Sequence, residues 1–72
     1  MMHLTNAQYD LVERAVAYGT RIAVFRQGRE FIVIPLTLAS RDGREAIETR
    51  NPMTGHDLTI YLDEIERLDV VE

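Results

Sequence analysis

Phe31 to Ala39 reads FIVIPLTLA, an uncharged run in a chain of 72 residues. Such a run is apolar on both alternating faces, so both faces must find cover. Phe31, Ile32, Val33 and Ile34 favour strands, and Pro35 would break a helical ladder. Pro35 also removes one ladder donor, which places a bulge or bend near the middle of the strand. The expectation is a strongly bent strand shared by both walls of a small barrel. Its first half would pair backwards along the chain and its second half forwards.

The rest of the chain arranges itself around this ribbon. Thr5 is a helix cap with Gln8 completing a capping box, and Leu4 and Tyr9 stand at the positions of a hydrophobic staple. Ala7, Leu11, Ala15 and Tyr18, with Val12 and Val16 alongside, form an apolar stripe at helical spacing, with Asp10, Glu13 and Arg14 on the other side. Gly19 is the expected left-handed stop, giving a helix over about 5–18.

Five strands follow between about 20 and 71. Thr20 to Arg26 places Ile22 and Val24 on one face and Arg21, Ala23 and Phe25 on the other. Gln27-Gly28 turns it into the long strand, and Asp42-Gly43 between Arg41 and Arg44 forms a second tight hairpin. Glu45 to Thr49 is a short third strand, and Asn51 to His56 the one real loop. Asp57 to Leu62 alternates, with Leu58, Ile60 and Leu62 inward. Asp63-Glu64 make a corner before a last strand over Ile65 to Val71. One helix and five strands in hairpin succession predict a mainly β domain, a small antiparallel barrel of Sm-like or SH3-like type spanning 1–72. A barrel would remove the free edges of a flat sheet. The alternative is an open α+β sheet with the helix across one face.

Composition narrows the chemistry. The absence of cysteine excludes disulfides, thiolate metal sites and cysteine nucleophiles. A single core must hold the domain, at a net stability of about 3–5 kcal/mol. No apolar stretch is long enough to span a bilayer and Met1–His3 carry no basic n-region, so the expectation is a cytoplasmic protein with no membrane partner. The formal charge of −4 is uneven: seven arginines face four acids between Arg14 and Arg50, and six acids face Arg67 alone after Asn51. A net acidic chain is a poor direct binder of nucleic acid and a better fit to a basic protein surface.

Catalytic residue types are sparse. Ser40 stands beside a turn, and a pairing with His3 or His56 would still need an orienting group and an oxyanion site, so Ser40 reads as a turn residue. His3 and His56 do not make a metal site by spacing, and the glycines at 19, 28, 43 and 55 each serve a turn or cap rather than a phosphate loop. No catalytic, cofactor or metal site is expected. Three features suit binding: the acidic helix face of Asp10 and Glu13 with Tyr9 nearby, the arginines on the hairpins (Arg26, Arg29, Arg41, Arg44), and outward-facing Phe25 or Tyr61, expected to lie under the helix.

Tyr9-Asp10-Leu11-Val12-Glu13-Arg14-Ala15 resembles the Y-D-x-L-E-x-A helix segment of the Rof family, small inhibitors of transcription termination factor Rho. Gln27-Gly28-Arg29-Glu30, Leu38-Ala39-Ser40-Arg41 and Leu62-Asp63-Glu64-Ile65 follow in the same order; the last motif is also similar to a corner of WYL domains, which share the barrel. The resemblance implies an Sm-like barrel without enzymatic activity that covers the RNA-binding sites of Rho. Tyr9, Asp10, Glu13, Ser40 and Arg41 would be its contacts. The chain departs from the family in a longer Asn51–His56 loop, in Asp42-Gly43 where a more basic pair is usual, and in lacking a cysteine after the helix motif. A monomer or weak dimer is expected. The alternative reading is an Sm-like or WYL-like module that binds RNA or a nucleotide ligand.

Overall fold

A computed structural model describes residues 5–71. Helix α1 (Asn6–Tyr18) starts as its sequence dictates. The Gln8 amide donates to Thr5 Oγ1 at 3.2 Å and the Thr5 amide donates to Gln8 Oε1 at 2.8 Å, so both halves of the capping box form. Gly19, at φ 67°, ends the helix and donates to the Ala15 carbonyl. The staple partner Leu4 lies outside the described residues, as does His3.

Five strands follow: β1 (Ile22–Arg26), β2 (Arg29–Arg41), β3 (Arg44–Arg50), β4 (Asp57–Tyr61) and β5 (Arg67–Val70). All pairings are antiparallel, and the spatial order is β4-β3-β2-β1-β5. The central strand β2 behaves as its composition requires. Arg29 to Val33 pairs with β1, and Ile34 to Arg41 pairs with β3. Pro35 lies opposite Thr49 and Thr37 opposite Glu48, so Leu36 is the extra residue of a bulge beside the proline. Both hairpins turn on two residues at positive φ, Gln27-Gly28 (51° and 70°) and Asp42-Gly43 (53° and 75°), the geometry that matches strand twist.

The bend brings the two halves of the sheet around one core. Ile22, Val24 and Leu68 from one half meet Ile47 and Ile60 from the other, with Val33, Leu62 and Ile65, and α1 closes one side with Val12 and Ala15. The short 3-10 turn Leu62–Glu64 carries the chain from β4 to β5. The mainly β fold with one N-terminal helix is therefore present, but hydrogen bonding does not close the cylinder. β4 and β5 are the two ends of the sheet, because the connector crosses the gap between them instead of folding back as a hairpin. Free edges thus persist where a closed barrel would have none.

Two burial expectations change. The helix is rolled so that Val12 and Ala15 are buried, with Tyr9, Leu11 and Val16 packed against the core. Ala7 is exposed and Tyr18 is 81% exposed, so one flank of the expected stripe faces outward. The uncharged ribbon is also not covered on both faces. Val33 and Pro35 are buried, whereas Ile32 and Leu36 are about one-third exposed (36% and 37%) on the outer side of the bend.

Ile47→Ala, which hollows the point where both halves of the sheet meet, is expected to cost about 2–5 kcal/mol. Against a net stability of about 3–5 kcal/mol that removes a large share of the margin and, at the upper end, unfolds the chain at room temperature. Leu36→Ala, on the bulge, is expected to cost under about 1 kcal/mol. Urea denaturation followed by circular dichroism checks both.

Candidate functional site

The charge asymmetry along the sequence disappears on folding, because antiparallel pairing interleaves the arginine-rich middle with the acidic end. Arg50 pairs with Asp57 at 3.0 Å across β3 and β4. Arg44 on β3 grips Asp63 with two bonds, Nε to Oδ2 at 3.0 Å and Nη2 to Oδ1 at 2.5 Å, and reaches Glu64 at 3.4 Å. Arg26 meets Glu64 at 3.4 Å, Arg67 meets Asp69 at 3.1 Å, and Arg41 meets Glu48 at 2.5 Å. Five of the eight arginines are thus engaged by carboxylates. The hairpin arginines at 26, 41 and 44, read from sequence as candidate anion readers, are spent within the fold.

The same guanidinium groups cover the outward aromatics. Arg44 lies 3.8 Å from the Tyr61 ring centre and Arg67 4.3 Å from that of Phe25, while Arg26 stands 5.0 Å from Phe31. Phe25 and Tyr61 were expected to lie under the helix; planar arginines take that place instead. A cation within hydrogen-bond reach of two carboxylates and stacked on a ring is held strongly, and the Asp63 bond raises the Arg44 pKa above its ordinary range.

Helix α1 and the β2–β3 hairpin form a separate surface. The Tyr9 hydroxyl donates to Glu45 Oε2, and this bond to a carboxylate raises the phenol pKa above 10.0. Glu45 is the register partner of Ser40, so Tyr9, Ser40 and Glu45 share one face at the hairpin end. Asp10 and Glu13 are exposed on α1 and form no ion pair among the described residues; Asp42 at the hairpin tip is exposed in the same way. Arg41 differs. It follows Ser40 on β2 and therefore points to the opposite face, where it meets Glu48. Four of the residues singled out from the sequence, Tyr9, Asp10, Glu13 and Ser40, lie on one side of the molecule, and Arg41 does not. Glu45 was missed. Its signal was the Asp-Gly turn, which fixes Glu45 opposite Ser40 once the hairpin is read as a two-residue loop.

Ser40 and His56 stand near opposite ends of the seven-residue strand β3, so the one Ser-His pairing within the described residues is not made. The Asn51–His56 loop is braced by Asn51, whose Oδ1 accepts from the Met53 amide at 2.8 Å and the Thr54 amide at 3.3 Å. Among the described residues, no three histidine or carboxylate side chains gather in a way that could hold a metal ion. No described helix is long and apolar enough to cross a membrane.

Glu48 gives the site's neighbourhood a pH signature. It accepts from Thr59 Oγ1 at 2.6 Å and from Arg41, and these bonds, the Thr59 bond first, lower its pKa below 4.5. A depressed carboxylate contributes stability in full above its unfolded pKa and loses it as pH falls through the folded one. Melting temperature is therefore expected to fall more steeply below about pH 4.5 in the native chain than in Glu48→Gln, a difference that thermal melts between neutral and acid pH will read.

No protein-family model matches the chain, and no curated protein matches it in sequence.

Proposed function

We propose that this protein is a non-enzymatic regulator that binds transcription termination factor Rho and inhibits Rho-dependent termination by covering its RNA-binding sites. The contact surface is α1 with the β2–β3 hairpin, through Tyr9, Asp10, Glu13, Ser40 and Glu45. The observation that carries the reading is where unpaired acid remains once the ion pairs are made. Among the described residues Asp10 and Glu13 on the helix and Asp42 on the hairpin form no ion pair, as Glu30 and Glu66 near the other hairpin also do not, and Glu45 beside the first three is held by a phenol rather than a cation. A cleft built to hold phosphates is cationic, and carboxylates presented at similar spacing compete for it. The helix motif that resembles the Rof family lies within this surface, and one N-terminal helix on a bent antiparallel sheet is compatible with that resemblance, although the sheet does not close as the implied barrel would.

The Tyr9–Glu45 bond has a part in this reading. It fixes the helix against the hairpin, so Asp10 and Glu13 are presented from a rigid frame and less ordering entropy is lost on docking. Arg41, on the far face of β2, falls outside the surface. A second reading is favoured by one observation, the free edges of β4 and β5. Edge pairing between copies would build an Sm-like ring able to hold RNA, and size-exclusion chromatography with light scattering distinguishes a ring from a small species.

Asp10→Arg with Glu13→Arg is expected to abolish binding to purified Rho, while Arg41→Gln leaves it unchanged. Native binding should weaken about tenfold or more as salt rises from low to several hundred millimolar. Interferometry on immobilised Rho, with circular dichroism to verify folding, provides the test. Unaltered binding by the folded double variant would remove α1 from the interface.

A further inference from the structure

An open groove of about 510 Å³ runs beside the outward flank of α1. The helix supplies Ala7, Leu11, Arg14, Ala15 and Tyr18, and Val70 and Val71 form the far wall. Two features bear on what it would hold. Its lining is largely apolar, with Tyr18 standing 81% exposed. Arg14 on its rim, like Arg21 and Arg29 elsewhere, has no ion pair among the described residues.

Ala7, Leu11, Arg14 and Tyr18 are spaced four, three and four apart, the interval of a helix seam that meets another helix. On the wheel they lie next to Asp10, which is one turn before Arg14 and likewise forms no ion pair among the described residues. We propose that the groove is filled by α1 of a second copy, packed antiparallel about a two-fold axis near residues 12 and 13. In that arrangement Ala7 faces the other copy's Tyr18, a small residue opposite a large one. Leu11 lies under the aliphatic stem of the other Arg14, and each Arg14 head reaches the other copy's Asp10, so both unpaired charges are answered twice. A parallel pair would instead set Arg14 against Arg14 and Tyr18 against Tyr18. Antiparallel packing also opposes the two helix dipoles favourably.

The contact is small. Helices of this length meet over about 20 Å and bury on the order of 800 Å² in total, under the roughly 1,200 Å² of stable complexes. The dimer is therefore weak, with a dissociation constant of about 0.1–1 mM. Its interface includes Asp10, so self-association and the proposed Rho contact compete for that residue. The chain alone tests the dimer, and either reading can fail without the other.

Sedimentation equilibrium and NMR diffusion from about 20 µM to about 2 mM read the association. The native chain should move from monomer to dimer over this range. Asp10→Arg places arginine against arginine, and Arg14→Asp places aspartate against aspartate, so each variant alone should associate at least about tenfold more weakly. An equimolar mixture of the two should dimerise again, because one chain then offers two cations and the other two acids. A native chain that stays monomeric at about 2 mM overturns the proposal and leaves the groove to a partner of different sequence. A dimer indifferent to both substitutions, or a mixture that stays monomeric while each variant is folded by circular dichroism, overturns it equally.

Discussion

The bend at Pro35 and Leu36 decides the architecture. A straight strand of thirteen residues would extend well past the width of so small a core, leaving half of its side chains without partners. Proline cannot donate to the ladder, and the bulge at Leu36 spends one residue on turning the strand. The two halves of β2 then serve two different neighbours, and Val24 from one side and Ile47 from the other enter a single core. A chain of this size has too little apolar surface for two cores. The bend makes one core of what would otherwise be two weak hairpins.

Antiparallel pairing has a second effect, on charge. It lays β4 beside the arginines of β3 and brings the turn after β4 to Arg26 and Arg44, so Asp57, Asp63 and Glu64, half of the acids that crowd the end of the sequence, find guanidinium partners from its middle. These pairs are partly or fully exposed, and those at the surface add little stability one by one. Their effect is spatial: among the described residues they leave Asp10, Glu13 and Asp42 without ion pairs on the helix and the β2–β3 hairpin, and Glu30 and Glu66 without them near the β1–β2 turn. Net charge alone did not locate the acidic face. The strand order did, by consuming charge elsewhere.

Which features could be read in advance follows from their range in the chain. The capping box at Thr5 and Gln8, the Gly19 stop, the two hairpin turns and the kink at Pro35 are local, each set by residues within a few positions, and all were legible. The open gap between β4 and β5 was not, because closure depends on how far the Leu62–Glu64 turn carries the chain across the end of the sheet. The arginine covers over Phe25 and Tyr61 were missed for a similar reason, since Arg67 reaches Phe25 only through the β1–β5 pairing. Arg41 shows the limit within a single strand. Its nearness to Ser40 suggested a shared site, and the period of two placed them on opposite faces. The helix roll was ambiguous in principle, because Ala7-Leu11-Ala15-Tyr18 and Val12-Ala15-Val16 are overlapping stripes and only packing selects between them.

That ambiguity is itself informative. A helix needing one apolar face would have no reason to extend it on a monomer; polar residues at Ala7 and Tyr18 would cost the core little, since both are exposed, whereas Leu11 packs against the core as well. On α1 the core stripe, the groove stripe and the acidic stripe follow one another around the axis. The Tyr9–Glu45 bond stands at the far edge of this arrangement and limits how the helix can roll. Any shift that opened the groove side further would withdraw Val12 from the core and pull Tyr9 off Glu45. The helix therefore acts as a fixed bracket, with its buried face held by the bent sheet and its groove and acidic faces left outward.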